Sequence, residues 1–83
     1  MKIVYFAWIR ERIGVAEEEV VLPAGVLTVG DLLRYLKTQS DNHAAALQAP
    51  EVVRVAIDQE HVDHAQPLEG AKEIAIFPPM TGG

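Results

Sequence analysis

Residues 28–37, TVGDLLRYLK, carry the pattern on which the fold turns. Val29, Leu32, Leu33 and Leu36 fall at i, i+3, i+4 and i+7 and form one apolar helical stripe, while Asp31, Arg34 and Lys37 point to water. Thr28 offers a hydroxyl to cap the first turn, and Asp31 puts a carboxylate where a helix N-terminus favours one. A helix with a single buried stripe needs a sheet to pack on, and strand patterns lie on both sides of it. Upstream, residues 2–7 (KIVYFA) are β-branched and aromatic, and residues 17–22 (EEEVVL) end at Pro23 and Gly25, giving a hairpin-like pair. Between them Ile9 and Ile13 are spaced as a short helical turn that Gly14 can cap. Downstream, Ser40 and Asp41 offer caps for a short helix through residues 43–47, Pro50 breaks the chain, and residues 52–57 (VVRVAI) predict a third strand. Asp58 and Gln59 turn it back toward residues 60–62. Residues 73–77 (EIAIF) form the last strand, which Pro78 and Pro79 stop because they donate no ladder hydrogen bonds.

Strands, one main helix, then more strands make an α+β architecture with the helix lying across one face of a mixed sheet of about four to five strands. The arrangement resembles a β-grasp, and that fold, rather than the periodicity, implies that the first and last strands are parallel central neighbours. The 83 residues, 49% hydrophobic and 23% charged, make one small domain. Residues 1–77 are expected to form it, and residues 78–83 an extended, flexible tail. With no Cys there is no disulfide, no thiolate metal site and no nucleophilic thiol, which suits a reducing compartment and suggests the cytoplasm. Seven Lys and Arg against twelve Asp and Glu give a charge of −5, the wrong sign for a nucleic-acid binder and a fit to a basic partner surface. The longest apolar run, residues 3–9, is far shorter than the ~20 residues that span a bilayer, so no membrane association is expected. His61 and His64 stand three apart in a strand or turn, a spacing that does not bring two imidazoles onto one ion, and no metal is expected. The Glu17, Glu18, Glu19 run reads as a solvated strand start, and Trp8 as a packing residue.

The final residues are Phe77, Pro78, Pro79, Met80, Thr81, Gly82 and Gly83, and nothing about a sheet or core explains an ending on two glycines. Two prolines hold the exit extended and two glycines remove every side chain beside the terminal carboxylate. At roughly 3.3–3.6 Å per residue, residues 78–83 could reach about 20 Å from the domain with an end thin enough to thread a partner's channel. A carboxylate is a poor electrophile until activated, so the expected chemistry is adenylation by a separate ATP-using enzyme, then nucleophilic attack at the Gly83 carbonyl. This chain has no phosphate-binding loop and is expected to bind no cofactor of its own. In the last strand Ile74 and Ile76 share one face, so Phe77 stands on the other with Glu73 and Ala75. Phe6 shares a face with Lys2 by the same count.

The ending FPPMTGG, the opening KIVYFAWIRERIG (residues 2–14) and the stretch VAIDQEHVDHAQPLEGAKEIAIFPP (residues 55–79) resemble the small, sulfur-carrying subunits of molybdopterin synthase across nearly the whole chain. The resemblance implies a ubiquitin-like β-grasp whose Gly83 carboxylate is adenylated, converted to a thiocarboxylate and inserted into a pocket on the large synthase subunit. There it gives sulfur to cyclic pyranopterin monophosphate, which takes two sulfurs to become the molybdopterin dithiolene. The small subunit is then no enzyme by itself. Its implied partners are the large subunit in a two-plus-two heterotetramer, the adenylating enzyme and a sulfur-donating persulfide system. Carried over residue by residue, Gly82 and Gly83 match the terminal pair, and Pro78, Pro79, Met80 and Thr81 match the part of the tail that fills the partner's channel. Phe77, Phe6, Arg10 of the family's RE pattern, and His61 match partner contacts, with His61 standing where relatives present an apolar residue. A carrier for another thiolated product, such as the thiamine thiazole, would share the fold and tail; a ubiquitin-like modifier or a plain interaction domain are the alternatives of another class.

Overall fold

The computed structural model describes residues 1–79, and the expectations on Met80, Thr81, Gly82 and Gly83 lie outside the described residues. The chain runs β1 (Lys2–Tyr5), α1 (Ala7–Ile13), β2 (Glu17–Glu19), α2 (Val29–Leu36), α3 (Asp41–Ala46), a 3-10 turn (Pro50–Val52), β3 (Arg54–Ile57), β4 (Glu60–Val62) and β5 (Glu73–Phe77). The five strands form one sheet in the order β2-β1-β5-β3-β4. β1 and β5 are parallel and lie beside each other at its centre, while every other pairing is antiparallel. This is the ubiquitin-like β-grasp arrangement expected above.

The helices cover one face of the sheet. Ile3 and Tyr5 of β1, Val55 of β3 and Ile74 and Ile76 of β5 point inward and pack with Val29, Leu32, Leu33 and Leu36 of α2 and Ile9 and Ile13 of α1. α2 forms where its stripe predicts. Thr28 accepts from the Asp31 backbone N–H at 3.2 Å while the Asp31 carboxylate accepts from the Thr28 N–H at 3.1 Å, a complete capping box. The Leu27 and Thr28 backbone N–H groups hold the Asp31 carboxyl below the usual range, with help from the Thr28 hydroxyl and Arg34. Gly14 ends α1 in the left-handed conformation, φ 98°, as its position suggests.

Three strands are shorter than their patterns, the first of them β1, which ends at Tyr5 instead of Ala7 because Phe6 caps α1 and Ala7 opens it. β2 is assigned to Glu19 instead of Leu22: Val20 still exchanges hydrogen bonds with Met1, at 2.9 and 3.0 Å, and Val21 beyond it points out, 91% exposed. β3 starts at Arg54 instead of Val52, because Pro50 opens a tight turn whose Val53 N–H bonds the Pro50 carbonyl at 3.0 Å. The short third helix begins at Asp41, two residues before the expected start, with Ser40 as its cap. No helix among the described residues is long and apolar enough to cross a membrane.

Candidate functional site

Because β1 and β5 are parallel, the start of α1 and the exit of β5 meet at one end of the sheet. The Phe6 N–H donates to the Ile76 carbonyl at 3.1 Å, which fixes Phe6 beside the point where Phe77, Pro78 and Pro79 leave the ladder. Phe6 is 47% exposed, a large apolar ring at a place where folding does not require one. The chain enters α1 through Ala7 at φ 54°, a left-handed conformation unusual for a residue with a Cβ. Arg10 follows one turn later and is exposed. Across the exit, Phe77 lies opposite Arg54 of β3, and Ala56 lies opposite His61 of β4. The His61 ring meets the Phe77 ring edge-on, with centroids 5.1 Å apart. Ile74 and Ile76 are buried while Phe77 is half-buried on the outer face, as strand alternation predicts.

Phe77, Phe6 and His61 are thus brought to the exit end of the sheet, with Phe77 and His61 in contact; Arg10 sits on the neighbouring helix at the same end. Pro78 and Pro79 are half-buried. The opposite end of the outer face is charged and internally matched. Lys2 Nζ lies 3.3 Å from Glu17 and 3.6 Å from Glu73, and the N-terminal amine lies 3.3 Å from Glu19. Glu17, chiefly through its hydrogen bond, holds the Lys2 ammonium above its usual range. His64 turns away from His61, its Nε2 lying 2.8 Å from the Val53 carbonyl oxygen. No group of three or more His, Asp or Glu suited to a metal occurs among the described residues.

A buried polar chain escapes the sequence reading. Glu18 lies opposite Ile3 in the β1–β2 ladder and so faces inward, contrary to the expectation of a wholly solvated Glu17–Glu19 run. Tyr5, 1% exposed, donates its hydroxyl to Glu18 Oε2 at 2.5 Å, and His43 Nε2 lies 2.7 Å from the same oxygen. An ionised carboxylate only accepts, so a His43 proton sits on Nε2, and the Ser40 hydroxyl lies 2.7 Å from Nδ1. Burial opposes ionisation of Glu18, but the His43 and Tyr5 hydrogen bonds and the attraction of His43 outweigh it and hold the carboxyl below its usual range. Burial, reinforced by Glu18, pushes the Tyr5 phenol well above its own. The one local signal was Ser40 three residues before His43, a cap spacing; Tyr5 and Glu18 are joined to it only by the tertiary fold. Trp8 packs half-buried as expected, with the Arg12 guanidinium 4.9 Å from its ring centre.

The model of the ThiS family matches residues 3–83. The chain belongs to the ThiS family. Among relatives of this ThiS-family chain, the molybdopterin synthase sulfur carrier subunit of Escherichia coli K12 is 37% identical over 83 residues, covering 100% of this chain and 99% of that protein. The sulfur carrier subunit of the same name from Haemophilus influenzae is 32% identical over 83 residues, again covering 100% of this chain and 99% of the relative. A solved structure, the putative molybdopterin converting factor subunit 1 of Pyrococcus furiosus, superposes with a TM-score of 0.73 at 28% identity, covering 95% of each chain. SAMP1 of Haloferax volcanii superposes at 0.72 with 27% identity, covering 100% of this chain and 98% of that one.

Proposed function

We propose that this chain is the sulfur carrier subunit of molybdopterin synthase, and that Gly83 is the atom-bearing end of the carrier. The observation that carries the reading is full-length similarity to such subunits, together with a last central strand that delivers Phe77, Pro78 and Pro79 directly to the FPPMTGG ending. The domain of residues 1–77 serves as a handle, and residues 78–83 are the arm. Attack of the Gly83 carboxylate on the α-phosphorus of ATP at a separate adenylating enzyme expels pyrophosphate and gives an acyl-adenylate, from which AMP leaves in the next step. The outer sulfur of a persulfide attacks the acyl carbon and displaces AMP to give an acyl disulfide, and a second thiol of the persulfide system cleaves its S–S bond, leaving a C-terminal thiocarboxylate and a disulfide. Pro78 and Pro79 favour an extended exit, Met80 and Thr81 fill the partner's channel, and Gly82 and Gly83 keep the reacting end free of side chains. In the large subunit's pocket the thiocarboxylate donates to cyclic pyranopterin monophosphate, one sulfur per carrier, so two loaded carriers are consumed for each dithiolene. Phe77, Phe6, Arg10 and His61 dock the handle in a two-plus-two assembly. The carrier binds no cofactor or metal, and the reaction belongs to the cytoplasm.

The chain contributes no acid, base or thiol to these steps; its work is presentation. Reconstitution with the host's large subunit and the pyranopterin precursor tests this, with molybdopterin as readout. Thiocarboxylated wild-type chain is expected to support product formation, and a chain with one residue appended after Gly83 to support none. Equal product from both would contradict the assignment. Likeness to a structure described as H. volcanii small archaeal modifier protein 1, at a TM-score of 0.72 and 25% identity, favours a second reading as a protein modifier. Isopeptide conjugates ending at Gly83 in a lysate would support that reading.

A further inference from the structure

The outer face of the sheet is divided along the strand direction. At the end where β5 begins, each charge has its opposite: Lys2 with Glu17 and Glu73, the N-terminal amine with Glu19. At the end where β5 leaves, Val4, Phe6, Ala75, Phe77 and Ala56 share the face with Arg54. Arg54 is exposed, and no ion pair is formed by it among the described residues. Cross-strand neighbours such as Arg54 and Phe77 stand about 5 Å apart at Cβ, so a partner that covers the Phe77 ring also strips water from the guanidinium beside it. A cation desolvated without a counter-charge is costly, whereas a planar guanidinium against a carboxylate is among the stronger interfacial pairs. Aromatic rings with an Arg beside them are also the composition of interface hot spots.

We propose that Arg54 is a specificity-determining docking residue, and that the large-subunit surface which seats on Phe77 presents a carboxylate to it. The proposal rests on the carrier reading above and adds the chemistry of the partner's face. A chain of net charge −5 gains direction from this arrangement, since the cation sits at the exit end and steers an acidic patch toward the tail rather than toward the Glu17–Glu19 edge.

The test is the affinity of the full chain for the host's large subunit at low and high salt, for wild type, Arg54→Gln, Arg54→Glu and Lys72→Gln. Lys72 is exposed just before β5, away from the exit and off the outer face by strand alternation, and its variant removes the same charge. Arg54→Gln is expected to weaken binding by about fivefold or more at low salt, Arg54→Glu further still, with the gap from wild type narrowing as salt rises and Lys72→Gln unchanged. Wild-type affinity in Arg54→Gln, tighter binding by Arg54→Glu, or equal losses in Arg54→Gln and Lys72→Gln would overturn the inference while leaving the carrier reading intact. A wild-type chain that does not bind the large subunit would overturn both.

Discussion

Asp58 and Gln59 join β3 to β4 with φ of 48° and 73°, a two-residue turn that usually takes Asn-Gly. Asp58 earns its place, since its carboxylate accepts the Glu73 N–H at 2.9 Å and the Lys72 N–H at 3.1 Å, tying the turn to the start of β5. No side-chain hydrogen bond among the described residues offsets the strain at Gln59. Gln59→Gly is therefore expected to raise stability by about 1 kcal/mol, seen as a higher urea midpoint at unchanged slope; a lower midpoint would show that the backbone there is not strained. Phe77 presents the opposite case, a side chain the domain hardly needs. Phe77→Ala should weaken large-subunit binding by about 1–2 kcal/mol and leave thermal unfolding nearly in place, whereas a fall in Tm at unaltered affinity would return the ring to a structural role. The face of Phe77 was legible because strand alternation settles it once Ile74 and Ile76 are taken as core. Its contact with His61 was not, because it needs the β5-β3-β4 order.

Among the elements, α2 was readable nearly to the residue, since its stripe and its capping box are both local patterns. β2 was not, because its end is set by how far the pairing with β1 runs, which Val20, Val21 and Leu22 do not reveal by themselves. This three-residue edge strand is also tied down from outside the ladder, by Glu18 holding Tyr5 of β1 and His43 of α3. Glu18→Ala leaves the Tyr5 hydroxyl and His43 without their shared acceptor and should cost about 1–3 kcal/mol, with the largest loss of amide protection in β2. A uniform loss, or none, would contradict that role. The pH dependence follows from the sign of the shift. Glu18 is more acidic folded than unfolded, so its stabilisation is present above the ordinary carboxylate value of 4.5 and is lost as pH falls through the lower folded value. Unfolding measured from pH 6 down to pH 3 should show wild type losing stability faster than Glu18→Gln, and parallel curves would rule the tie out as a source of acid sensitivity.

At the scale of the molecule, the decisive feature is that β1 and β5 are parallel neighbours at the centre of the sheet. That order was an expectation of the fold and could not be read from periodicity, since alternation says which face a residue takes and nothing about which strand lies beside it. Its consequence is mechanical. β5 is held by β1 as far as Ile76 and by β3 as far as Phe77, so the chain reaches Pro78 and Pro79 directly from the central strand of the sheet. The central claim is that the arm carries sulfur on Gly83, and the most direct test is an intact mass spectrum of the chain after incubation with ATP, a persulfide sulfur source and the host's adenylating enzyme. The account predicts a product heavier by the difference between one sulfur and one oxygen, with the change mapped to Gly83; an unchanged mass, under conditions that load a known carrier, would contradict it.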